Sequence, residues 1–296
     1  MKRLEGSSTD IYCLESLHGC VISAGHDKIV YVHKPGECVK LKGHQHSIKA
    51  LSTHKVNEDP SKSKIVSGSW DMTIIVWSFG SSKMLLQLMG HENRIRTLKV
   101  SLDPIPLIIS GADDKQLIVW SLENGNCLLK SLDHHKDVVT SMAVMGGIVA
   151  TGSGDKSIQL WEYAQAVNGH DSRKFGLTGH KGRVVALSSV PLDTSGRTYT
   201  LLSASSDKTI RMWFIGGIHS HNCLRSFPLD HSVTGLVATA HGIVYTCDED
   251  GKLTSSAVSS ETLKSTSCRK FKVPLLCCMV IPVAGEEGAV GLVAGG

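Results

Sequence analysis

The chain has 296 residues, 41% of them hydrophobic and 20% charged, with a formal net charge of +4. That composition excludes a disordered polymer, and so mild a charge gives no general case for nucleic-acid or membrane-surface binding. The length is large for one ordinary core, although architectures that close on themselves reach it.

The start, MKRLEGSSTD, places two basic residues ahead of no apolar run, so it does not read as a secretory signal. The longest apolar run, VPLLCCMVIPVAG (273–285), is too short to span a bilayer and is broken by prolines. Nine cysteines lie scattered without a Cys-x-x-Cys pair, which points to reduced, buried thiols and a cytoplasmic or nuclear protein.

Between these ends one pattern recurs. In chain order it reads SAGHDKIVYVH (23–33), SGSWDMTIIVW (67–77), SGADDKQLIVW (110–120), TGSGDKSIQLW (151–161), SASSDKTIRMW (203–213) and TCDEDGKLTSS (246–256). The four middle copies have Ser or Thr four residues before an Asp and Trp six residues after it. His33 and Ser256 stand in place of Trp in the outer copies. The aspartates Asp27, Asp71, Asp114, Asp155, Asp207 and Asp250 are 44, 43, 41, 52 and 43 residues apart. A second marker precedes each of the last five: Gly43-His44, Gly90-His91, His134-His135, Gly179-His180 and Asp230-His231. A period of about 40–45 residues with a Gly-His…Trp signature predicts propeller blades of four strands each.

Within a copy, KIVSGS and MTIIVWS predict two strands around a tight turn. Their nearly continuous apolar character fits strands with a neighbouring sheet on both faces. A buried turn carboxylate needs donors. A chain from the Trp77 indole N–H to the Ser67 hydroxyl, to the His44 imidazole, to Asp71 would satisfy every group.

These markers resemble the WD40-repeat family over nearly the whole chain, with six units visible and four carrying every marker. The family's Trp-Asp pair closes the third strand, which here falls at Trp77-Ser78, Trp120-Ser121, Trp161-Glu162 and Trp213-Phe214. The literal Trp70-Asp71 is a decoy in which Asp71 is the turn aspartate. The resemblance implies the same relay in His91/Ser110/Asp114/Trp120, His135/Thr151/Asp155/Trp161 and His180/Ser203/Asp207/Trp213. It implies a single all-β domain over 1–296, a seven-bladed propeller of four-stranded antiparallel blades. Its units are approximately 8–43, 44–90, 91–134, 135–179, 180–230, 231–272, and 273–296 joined to 1–7. The last blade, shared by N- and C-terminal strands, is expected to lack its third strand, either because the chain is a fragment or because closure is imperfect.

By the family's register the residues flanking the first apolar position after each His face the central opening. They are Asp10 and Tyr12, Ser47 and Lys49, Arg94 and Arg96, Val138 and Thr140, Arg183 and Val185, and Ser232 and Thr234. Trp70 joins them from the same rim. Tyr12, Lys49, Trp70, Arg94, Arg96 and Arg183 are the candidate partner-binding residues, for an acidic or phosphorylated peptide; an ordinary solvated rim is the competing reading. The longer connections 55–64, 162–176, 191–197 and 214–222 cluster on the opposite face, either as a second binding surface or as tolerated loops.

The remaining motifs are weak. His219, His221 and Cys223 lack a matching ligand pair, GSGDKS (152–157) sits in a hairpin rather than before a helix, and Gly169-His170 falls too close behind Trp161 to be a repeat marker. Cys277-Cys278 reads as small hydrophobes in a strand. Ser/His/Asp recurring four times, each with Trp, reads as scaffolding and not as a hydrolase triad. The expectation is a non-enzymatic scaffold for protein partners, with no cofactor, metal, small-molecule substrate or membrane, and with nucleic acid disfavoured. The alternative is the substrate receptor of a ubiquitin-ligase-type assembly.

Overall fold

A computed structural model describes residues 9–57, 59–102, 105–131, 135–163, 174–192, 198–216, 221–239, 242–258, 263–271, 275–282 and 290–295. For residues 174, 221, 222, 258, 264, 278–282 and 290–295 only the backbone is described.

Each repeat folds into one antiparallel sheet whose strands follow in sequence order. The first blade is β1 (Ile11–Leu17), β2 (Cys20–Gly25), β3 (Ile29–Lys34) and β4 (Glu37–Lys42). The second is β5 (Ile48–His54), β6 (Lys64–Ser69), β7 (Thr73–Ser78) and β8 (Met84–Met89). The third is β9 (Ile95–Ser101), β10 (Leu107–Ala112), β11 (Leu117–Ser121) and β12 (Cys127–Ser131). The fourth is β13 (Val139–Met145), β14 (Ile148–Ser153), β15 (Ile158–Glu162) and β16 (Lys174–Leu177). The fifth is β17 (Val184–Pro191), β18 (Thr198–Ser205), β19 (Thr209–Gly216) and β20 (His221–Pro228). The sixth is β21 (Gly235–Ala238), β22 (Ile243–Cys247), β23 (Lys252–Val258) and β24 (Leu263–Lys270).

Among the described residues the structure has six blades, not the expected seven with an incomplete last one. Six blades are complete, and β25 (Cys277–Pro282) pairs only with β26 (Val290–Gly295) in a two-stranded sheet. The apolar run at 274–296 looked like the beginning of a blade, but a blade exists only where four strands exchange backbone hydrogen bonds. The segment 1–7, expected to share that blade, lies outside the described residues. The ribbon nevertheless closes the ring. Leu275 carbonyl accepts the Thr234 hydroxyl from the sixth blade, and the Cys277 thiol reaches the Ile11 carbonyl of the first at 3.7 Å.

The core lies between blades and not within them. Ile65, Ile75 and Trp77 of the second blade pack with Ile22, Val30 and Leu41 of the first. On its other face Val66, Ile74 and Val76 pack with Leu98, Ile108 and Trp120 of the third. This explains the continuous apolar strands: alternate side chains serve alternate interfaces, so both faces are dry. Among the described side chains, Cys247, Leu253 and Leu275 pack together where the sixth blade meets the closing ribbon.

The first strand of the first five blades carries a register shift near its start, at Ile11/Cys13, Ile48/Ala50, Ile95/Thr97, Val139/Ser141 and Val184/Ala186. The extra residues are therefore Tyr12, Lys49, Arg96, Thr140 and Val185. A bulge of this kind leaves one side chain out of the pleat and re-aims it. Tyr12, Lys49 and Arg96 of three successive blades thus come to stand beside one another and the Trp70 ring.

Candidate functional site

The relay groups come together in four blades. His44 Nδ1 lies 2.8 Å from Asp71 Oδ2, His44 Nε2 lies 2.8 Å from Ser67 Oγ, and the Trp77 indole donates to Ser67 Oγ at 2.9 Å. His91 contacts Asp114 and Ser110 at 2.8 Å each, with the Trp120 indole donating to Ser110 Oγ at 2.9 Å. His180 lies 3.0 Å from Asp207 and 2.8 Å from Ser203, which accepts from the Trp213 indole at 2.8 Å. In the fourth blade His135 reaches Asp155 at 2.9 Å and the Thr151 hydroxyl at 3.0 Å, and Trp161 is buried beside them. The only donor order that satisfies all groups runs indole N–H to hydroxyl, hydroxyl to Nε2, and Nδ1–H to carboxylate, with histidine neutral.

The carboxylate does more than receive histidine. Asp71 Oδ2 also accepts the Gln45 amide at 2.8 Å, while Oδ1 accepts the Thr73 amide at 2.9 Å and the Thr73 hydroxyl at 2.6 Å. This locks a three-residue hairpin loop whose last residue is left-handed: Met72, Lys115, Lys156 and Lys208 all have φ between 60° and 73°. Burial alone would raise the carboxyls. The donors around them win, drawing Asp71, Asp114 and Asp207 below the usual range and Asp155 to about 2. Burial lowers the His180 imidazole, and Asp207 only partly opposes it.

The glycine of the marker has a steric cause. A Cβ on Gly90 would stand 2.8 Å from Trp120 Cη2, and one on Gly43 would stand 2.9 Å from Trp77 Cη2. In the sixth blade Ser256 replaces the indole, and Asp230 replaces the glycine.

The geometry of each relay is that of a hydrolase triad, but Ser67, Ser110, Thr151 and Ser203 are 0% exposed. No substrate reaches a hydroxyl so placed, and three of them already accept an indole hydrogen. The relays are internal struts.

The two outer blades use other atoms, and here sequence reading missed residues. In the first, the Tyr31 hydroxyl donates to Asp27 Oδ2 at 2.8 Å, and His33 Nε2 lies 2.9 Å from Ser23 Oγ in the tryptophan position. Burial, with the Asp27 hydrogen bond, pushes the Tyr31 phenol up to about 12. In the sixth, Asp250 sits in the turn before left-handed Gly251, but the buried carboxylate facing His231 is Asp248, at 3.4 Å. A tyrosine four residues after the turn aspartate was the available signal for the first; a second acid two residues before it was the signal for the sixth.

The six candidate partner-binding residues divide. Tyr12 and Trp70 stack at 6.1 Å and 24°. Lys49 Nζ stands 4.0 Å above Tyr12, and the Arg94 and Arg96 guanidiniums lie 5.0 and 5.8 Å from the Trp70 ring centre. His46 tilts against Trp70 at 5.6 Å, and His26 meets Tyr12 edge-on at 6.5 Å. Arg96 is already held by both oxygens of Asp113. Arg94 and Arg183 are exposed and, among the described residues, have no carboxylate partner. Ser47 is buried and bonded to His26 instead of lining the opening.

Of the weaker motifs, His219 and Gly169-His170 lie outside the described residues, as do 58, 164–173, 193–197 and 217–220 of the opposite-face connections. Among the described residues no cluster of His, Cys, Asp and Glu could hold a metal ion, and no helix is long and apolar enough to cross a membrane. Among the described residues eight cysteines are free thiols, and Cys127, Cys223 and Cys268 are exposed instead of buried.

A closed ring of sheets, four of them pinned by the same polar relay, defines a repeat propeller. The chain belongs to the WD40 family: the WD domain, G-beta repeat pattern matches residues 36–78, 82–121, 126–162 and 171–213, together more than half of it. It is 29% identical over 185 residues to an uncharacterised WD repeat-containing protein of Schizosaccharomyces pombe, covering 62% of this chain and 49% of that one. It is 26% identical over 266 residues to the nuclear distribution protein nudF of Aspergillus niger, covering 87% of this chain and 47% of that one. The nudF of Emericella nidulans matches at 29% over 180 residues, 55% of this chain and 32% of its own. The chain thus spans half or less of the curated relatives it matches.

Proposed function

We propose that the protein is a non-enzymatic scaffold, cytoplasmic or nuclear, that holds an acidic segment of a protein partner on the rim formed by blades one to three. The observation that supports this most is the exposed Arg94 guanidinium over Trp70, free of any carboxylate among the described residues, beside an ion pair in which Arg96 is already engaged. A cation on an aromatic face without a counter-ion is ready to accept a carboxylate or phosphate. The tied-down hairpins supply rigidity, so a partner binds without ordering the scaffold.

Charge reversal at Arg94 and Arg183 tests the reading, because neither holds another part of the fold by an ion pair. Comparative pull-down with mass spectrometry should show acidic partners lost from Arg94→Glu/Arg183→Glu while the melting temperature stays the same. Unchanged capture would sink the rim reading. Recovery of ligase adaptors with the lost partners would assign the scaffold to a ubiquitin-ligase-type assembly.

A further inference from the structure

The first blade turns one member of the strut into a chemically different group. His33 occupies the place held elsewhere by Trp77, Trp120 and Trp213, and its Nε2 lies 2.9 Å from Ser23 Oγ, much as those indoles meet their own hydroxyls. An indole has a single nitrogen, whereas an imidazole has a second one. That second nitrogen, Nδ1, lies 3.6 Å from the Cys38 Sγ on β4. Strand register puts the thiol there: His33 pairs with Cys38 as Trp120 pairs with Cys127 and Trp213 with Cys223. Three blades thus set a cysteine opposite the same ring position. Among the described residues, only in the first does that ring offer the sulfur a base.

The pair stands at the outer edge of its blade, with both side chains partly exposed, so a small reagent reaches the sulfur. Around it are Tyr31, stacked on His33 at 6.2 Å, and Lys40, 5.5 Å above the Tyr31 ring. Burial pushes the Cys38 thiol up and Lys40 opposes this only in part, so the resting group is S–H. Such a thiol is a poor nucleophile unless its proton has somewhere to go during the reaction. His33 supplies the place. Nδ1 takes the proton while Nε2–H donates to Ser23 Oγ, which is 2% exposed and holds the ring in position. The imidazolium so formed has both N–H groups satisfied, one by oxygen and one by the thiolate.

We propose that Cys38 is an oxidant-reactive modification site for hydrogen peroxide, with His33 as its proton acceptor and Ser23 as the anchor of that ring. The Cys38 proton passes to His33 Nδ1, and the sulfur attacks one peroxide oxygen. The S–O bond forms as the O–O bond breaks. The departing hydroxide takes the proton from Nδ1 and leaves as water. Sulfur is oxidised to a sulfenic acid and the peroxide is reduced.

The full chain carries its own reference, because Cys127 is more exposed than Cys38 and faces Trp120 instead of a base. Limiting peroxide, dimedone trapping and peptide mass spectrometry should find Cys38 at least about tenfold faster than Cys127. Alkylation of Cys38 by iodoacetamide should change less than about threefold from pH 7 to 8, since the proton moves within the pair. Cys127 should rise about eightfold, as an unassisted thiol does. His33→Trp restores the indole of the other blades and should bring Cys38 down to the Cys127 rate with the melting temperature kept. His33→Gln retains a donor for Ser23 but no base, and gives the same readout where the indole does not fit. A Cys38 no faster than Cys127, an ordinary pH rise at Cys38, or an acceleration that survives in either folded variant would overturn the site.

Discussion

In the second to fifth blades the turn carboxylate meets an imidazole from the preceding loop, as His91 Nδ1 meets Asp114 at 2.8 Å. In the first blade the same role falls to the Tyr31 hydroxyl on Asp27, and in the sixth His231 faces Asp248 at a loose 3.4 Å. The inner four relays each tie a loop to a hairpin, whereas Tyr31 ties the first hairpin only to its own strand. On its relays alone the ring is tied most firmly through its middle and least at its closure, and local opening should begin there.

Removing a relay carboxylate should separate the two regions most. Asp114→Ala strands a buried imidazole and two backbone donors, for an expected loss of about 3 kcal/mol or more. Asp250→Ala, in a turn whose buried acid is Asp248, should cost under about 1 kcal/mol. Urea midpoints, with hydrogen exchange read blade by blade, measure the difference. Comparable losses in both variants would erase the distinction between middle and closure.

A smaller effect comes from the loop before each blade. Gly90→Ala drives a methyl into Trp120 and should lower stability by about 1–3 kcal/mol. Asp230→Ala, with no indole opposite, should be close to neutral. Thermal melts of the pair would settle whether the indole is what demands glycine.

The mildest contrast is in pH. The relay carboxylates are held low, so their stabilisation is full above the unfolded aspartate range and is lost as pH falls through the folded values, near 2 for Asp155. His180 is also lowered, so the unfolded chain takes its proton first and stability falls as pH drops below about 6.5. Urea midpoints from pH 7 to 3 should thus decline gently and then steeply. His180→Asn should flatten the gentle part, though it also lowers the whole curve; a wild-type midpoint constant between pH 7 and 5 would contradict the imidazole's role.

Much of this was legible before coordinates, for a physical reason. The relay residues sit at fixed offsets from a turn, so Ser67, Asp71 and Trp77 could be grouped by counting, and His44 by the loop that precedes them. Blade number was not legible, because a strand's apolar run says nothing about how many partners it finds; among the described residues β25 and β26 pair with each other alone. Tyr31 and Asp248 escaped for a related reason. Each replaces a marker by a different side chain at a different offset, and pattern matching sees only the gap. Nor could spacing show that Arg96 is already engaged, since Asp113 had no marked role.

The bulges at the start of the inner strands have one more consequence. Because Tyr12, Lys49 and Arg96 stand outside the ladder, exchanging them leaves the backbone pairing of the sheets untouched. Recognition at the mouth can therefore diverge quickly, by selection or by engineering, while the architecture beneath it is inherited unchanged.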